Sequence, residues 1–155
     1  MNRKILAILG ILVLAVSVSA VSAFGLDDLT GGSSEAQNVT IDGFEFPIPS
    51  GFEENVTLDV VDEKASVGGV DYTYCQKAFE NDNGDIVSIL VADYGEYEVN
   101  DEVVSVMGGE KTTINGIEGY ISENEGIHIF AYPKEDKLVV ITADNENDID
   151  GFVAE

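Results

Sequence analysis

Carboxylates dominate the chemistry open to this chain. Thirty Asp and Glu residues stand against seven Lys and Arg, one thiol (Cys75) and one imidazole (His128). Nucleophilic catalysis needs a nucleophile activated by a neighbouring base. The one pairing on offer is Cys75 with His128, which requires their two strands to lie close with both side chains on one face. His128 sits in the apolar run Ile127 to Tyr132, where it alternates with Phe130 and Tyr132 opposite Ile127, Ile129 and Ala131. The motifs that surround catalytic cysteines are absent, as is a Gly-x-Ser-x-Gly elbow. Neither phosphate-cradling glycine pattern occurs. With one His and one Cys, zinc would need two carboxylates at spacings the chain does not offer.

Hard cations suit the carboxylates better, because calcium takes carboxylate and carbonyl oxygens. Two runs are dense in such ligands: Asn81 to Asp85, with Asp82 and Asp85, and Asp144 to Gly151, with Asp144, Asp148 and Asp150. Neither fits the twelve-residue EF-hand loop. The plainer readings are an ordinary hairpin turn for the first run and a solvated helix start for the second. The sequence implies no cofactor. Paired carboxylates for glycoside cleavage carry no information here, since among thirty acids many pairs fall within reach of one another. Two sequons, Asn38-Val39-Thr40 and Asn55-Val56-Thr57, are N-glycosylation candidates if the chain is exported.

The elements that must position these groups are mostly strands. Val39 to Ile41 and Phe44 to Phe46 flank Asp42-Gly43, a dipeptide suited to a two-residue hairpin turn. Pro47 and Pro49 are expected to end that strand. Val56, Leu58 and Val60 alternate as in a strand, while Asp62 to Ala65 could form a helical turn. Val70 to Phe79 and Ile86 to Tyr94 read as strands around an Asn83-Gly84 turn. Asn100 is an N-cap candidate for a short helix carrying Val103, Val104, Val106 and Met107, stopped by Gly108-Gly109. A meander follows: Lys111 to Ile114, Ile117 to Ile121, Ile127 to Tyr132 and Leu138 to Ala143, the first two joined by Asn115-Gly116. Ile149, Phe152 and Val153 suggest a last short helix. The expected fold is α+β: a mostly antiparallel sheet of six or seven strands with one to three short helices.

Residues 1–23, MNRKILAILGILVLAVSVSAVSA, have the layout of a secretory signal peptide: Arg3 and Lys4, an apolar run, then small residues. If the leader is retained, the only membrane contact expected is through residues 5–23, just short of the roughly 20 residues of a spanning helix. No Cys follows the apolar run, which excludes lipidation there. Residues 24–38 form a Gly-Ser-containing acidic spacer, and 39–155 a single α+β domain. Removing 1–23 takes away both N-terminal basic residues and no acid. Five Lys then face thirty acids, a formal charge of −25. Such a surface repels nucleic acid and anionic lipid. Dispersed carboxylates keep a domain soluble; capture of cations or basic partners is the sharper alternative. Cys75, being alone, forms no intramolecular disulfide and suits a buried strand position.

The stretch Phe44-Glu45-Phe46-Pro47-Ile48-Pro49-Ser50-Gly51-Phe52, followed by central strands, a short helix and Lys111 to Tyr120, resembles small secreted proteins of methanogenic archaea. More loosely it is similar to the PsbP/Mog1-like superfamily, where an apolar strand ending in Pro-x-Gly also opens the domain. The resemblance implies layers around an antiparallel sheet and a role in binding or assembly. It brings no catalytic residue. The functional expectation is an extracytoplasmic, non-enzymatic binding or envelope-associated domain, with an envelope or extracellular partner. Tyr72, Tyr74, Tyr94, Tyr97, Tyr120 and Tyr132 are candidates for its recognition surface or for the edge of its core. The alternatives are an exported hydrolase using carboxylates and a calcium-stabilised surface module.

Overall fold

The computed structural model describes residues 37–67 and 69–153; the expected leader (1–23), residues 24–36 of the spacer and residues 154–155 lie outside them. The chain folds into a mostly antiparallel sheet with a few short helices. The described residues form ten strands: β1 (Gln37–Ile41), β2 (Phe44–Ile48), β3 (Phe52–Glu54), β4 (Val60–Val67), β5 (Val70–Asn81), β6 (Ile86–Asp93), β7 (Glu110–Ile114), β8 (Ile117–Asn124), β9 (Ile127–Lys134) and β10 (Lys137–Ala143). Among the described residues there are also two helices, α1 (Asp101–Ser105) and α2 (Ile149–Phe152), and two single 3₁₀ turns.

β1 and β2 make a separate hairpin. The other eight strands form one sheet in the order β3-β5-β6-β10-β9-β8-β7, with β4 sharing the edge of the long β5 with β3. The sheet is wider than the six or seven strands expected, because the stretch from Phe52 to Val67 contributes two strands. That stretch also reverses the expected pattern. Val56–Leu58 is a 3₁₀ turn, since the Asn55 side chain accepts from the Thr57 N–H and caps it. Asp62 to Ala65 lies in strand β4, not in a helical turn. A bulge between Val60 and Glu63 breaks the two-residue alternation there. Pro47 and Pro133 both lie inside strands, where ladder donors are dispensable: Pro47 in a two-stranded hairpin, Pro133 beyond Ala131, the last β9 residue paired with β8.

The central strands explain the layering. β6 and β10 are buried along almost their whole length, so both faces of the sheet must be covered. One face carries the β1–β2 hairpin, through Ile41, Phe44, Phe46 and Ile48, together with α2. Phe152 of α2 packs on Phe52 and Phe79, with ring centroids 5.0 and 5.6 Å apart. The other face carries α1, whose Val103 and Val104 pack with Val99 over Leu90, Ala131 and Val140. Asn100 caps α1 by accepting from the Val103 N–H at 3.2 Å, as its position suggests. The two polar side chains buried in this core, Ser88 and Thr142, are direct cross-strand partners, and the Thr142 hydroxyl donates to Ser88 at 3.3 Å.

Candidate functional site: an acidic cleft beside the hairpin

β5 runs past the end of its neighbour. Its pairing with β6 begins at Thr73 and Asp93, whereas its pairing with β4 continues back to Val70. The β4–β5 arm therefore overhangs the sheet. The tip of the β1–β2 hairpin, Asp42-Gly43, comes down nearby with φ of 48° and 86°, the mirror-image turn that Asp-Gly favours. Between them opens a cleft of ≈ 820 Å³. Asp42, Asp62, Asp71 and Asp93 bring carboxylates to it, with Lys64, Tyr72, Tyr74 and Cys75 also on its lining.

Each carboxylate is held differently. Lys137 Nζ reaches Asp42 Oδ2 at 2.8 Å and Asp93 Oδ2 at 3.2 Å, tying the hairpin tip to the end of β6. Those carboxylates, Asp42 first, raise the Lys137 ammonium above its usual range. Asp93 is held low, first by the Gly95 N–H, which donates to it at 2.7 Å, and then by Lys137. Asp62 occupies the bulge with φ of 50°, a left-handed position that Asp tolerates. Asp71 is exposed at the start of β5.

Cys75 is the buried end of this cleft. Its Sγ accepts from the Asp62 N–H at 3.4 Å and approaches Asp62 Oδ1 at 3.5 Å. Burial pushes the thiol up, so it stays protonated at neutral pH. His128 is on the same sheet face but elsewhere. The register runs Cys75–Val91–Val139–Tyr132 across the sheet, so His128 lies three strands away and four residues along. At about 4.8 Å per strand and 3.4 Å per residue, both offsets exceed ten ångströms. The Cys75–His128 dyad is therefore not assembled. His128 instead faces Glu146, Nδ1 to Oε2 3.8 Å.

The two acidic runs meet at the opposite end of the sheet, because β6 and β10 are neighbours there. Two of the carboxylates are engaged locally. Asp85 Oδ2 accepts from Asn81 Nδ2 at 2.9 Å, and Asp144 Oδ2 accepts from the Ile86 N–H at 2.9 Å. Asp148 is pushed up by burial and then by Asp85 and Asp150, while Asp82 sits exposed in the β5–β6 turn. Among the described residues no three His, Cys, Asp or Glu side chains are grouped so as to hold a metal ion. Of the candidate tyrosines, Tyr72, Tyr94 and Tyr132 are buried and Tyr74 and Tyr120 half-buried, so most finish the edge of the core; Tyr97 is exposed. Among the described residues no helix is long and apolar enough to cross a membrane.

The cleft is the feature that sequence reasoning missed. Asp42 was legible as a turn residue, but Asp62, Asp71 and Asp93 were three acids among thirty. Only the overhang of β5 brings them together. No family model, curated protein or solved structure matches the chain.

Proposed function

We propose that this protein is an extracytoplasmic, non-enzymatic binding domain, and that the cleft beside the hairpin receives a basic peptide segment. The observation that carries this reading is a concavity of ≈ 820 Å³ whose lining sets four carboxylates against Lys64. That volume lies in the range of ligand sites, roughly 300–1,000 Å³. Lys137 bridges Asp42 and Asp93, and with Lys64 it leaves the four carboxylates a formal excess of two negative charges to be met from outside. The leader layout of residues 1–23 supports the location, and the Gly-Ser stretch supports a domain held away from the membrane or cleavage point. The resemblance to small secreted archaeal proteins belongs to the same proposal.

A protein this acidic attracts any cation weakly, so the test must separate the cleft from the general field. Titration of the exported protein with a trilysine peptide, followed by calorimetry at physiological salt, is compared across charge-matched variants. Asp62→Asn with Asp71→Asn is expected to weaken binding at least tenfold. Glu53→Gln with Glu123→Gln, which removes the same charge from exposed positions elsewhere, is expected to change it less than threefold. Equal losses in the two pairs would assign the binding to net charge and remove the cleft from the account.

A further inference from the structure

The two sequons are alike in sequence and unlike in the fold. In β1, Val39 packs against the sheet core, while Asn38 and Thr40, two residues apart, lie exposed on the opposite side of the strand. Acceptor and hydroxyl residue thus project together from the outer layer of the molecule. Their cross-strand partners are Pro47 and Glu45, the first half-buried and the second exposed. Asn38 makes no side-chain hydrogen bond among the described residues.

Asn55 is already engaged. Its Oδ1 accepts from the Thr57 N–H at 3.3 Å and from the Thr57 hydroxyl at 2.6 Å, and its Nδ2 donates to Glu80 Oε2 at 3.3 Å. The nitrogen that a glycan would occupy faces β5, and the residue is half-buried as the cap of a turn.

We infer that Asn38 is the site of N-linked glycosylation and that Asn55 is not modified. The inference rests on the export reading above, because the transferase and its donor act outside the cytoplasm. In the reaction, Asn38 Nδ2 bonds to the anomeric carbon of a lipid-phosphate-linked sugar. The bond from that carbon to the phosphate oxygen breaks, its electron pair leaves with the lipid phosphate, and Nδ2 loses one proton to the transferase. A glycan at Asn38 projects from the hairpin four residues from its Asp42 tip, about 13 Å along the strand. The cleft stays open and the outer face of the hairpin is shielded.

The test is peptide mapping by mass spectrometry of the protein isolated from the cells that make it, before and after chemical deglycosylation. The expected result is a glycopeptide containing Asn38 and an unmodified peptide containing Asn55. Asn38→Gln and Thr40→Ala should both abolish the added mass, while Thr40→Ser and Asn55→Gln retain it. An unmodified Asn38, or a glycan on Asn55 in its place, overturns the inference. Protease treatment of intact cells tells the two failures apart. A chain that is digested but bare at Asn38 overturns the glycosylation alone, and a protected chain overturns the export reading as well.

Discussion

Asp148 and Asp93 show two carboxylates driven in opposite directions by their surroundings. Asp148 is pushed up by burial and by Asp85 and Asp150, and its Oδ2 is buried with no hydrogen-bond partner among the described residues. A carboxyl raised in the fold contributes stability below its unfolded value, about 3.9, and loses it as pH rises through the folded value. Asp148→Asn is therefore expected to raise Tm at pH 7 and to change it little at pH 3; calorimetry showing a lower Tm at pH 7 would refute this. Asp93 is held low by the Gly95 N–H and by Lys137. Its contribution is present above the unfolded value and is lost as pH falls through the folded one. Asp93→Asn should lower Tm at pH 7 and converge with the parent in acid. Tyr132 presents a third case. Its hydroxyl is buried and unpartnered among the described residues, with desolvation pushing the phenol well up. Tyr132→Phe removes that unpaired group and should leave stability in urea unchanged or raise it by up to about 1 kcal/mol.

At the scale of elements, turn chemistry was the most legible part of the chain. Asp42-Gly43 and Asn115-Gly116 adopt the mirror-image turns their residues favour, and Asn100 caps the helix it precedes. Glu135 and Asp136 make the same kind of turn at φ of 46° and 66° without a glycine, which no local rule announces. β4 was misread because it is an exposed edge strand with a bulge, so neither burial nor alternation marks it. Close packing was equally hidden. Gly119 in β8 lies under the Phe130 ring, and a Cβ there would come within 2.7 Å of that ring and 2.6 Å of the Ala131 carbonyl oxygen. Gly119→Ala is expected to cost about 1–3 kcal/mol through overpacking, read from the urea midpoint. A substitution with no effect would mean that β8 and β9 separate at no cost.

For the whole molecule, charge was readable at once and its arrangement was not. Thirty acids over the chain set up a field that opposes the approach of polyanions, but composition cannot say where carboxylates converge. That depends on strand lengths: β5 outruns β6, β4 follows it, and the hairpin tip closes the remaining side through Lys137. The same order carries Cys75 and His128 apart. We propose that the resulting cleft, rather than the acidic surface at large, meets a basic partner. Two-dimensional NMR of the ¹⁵N-labelled protein titrated with trilysine tests this most directly. Saturable amide shifts concentrated at Asp42-Gly43, Asp62 to Ser66, Asp71 to Cys75 and Asp93 to Gly95 are expected. Small, unsaturable shifts spread over exposed acids such as Glu53 and Glu123 would contradict it.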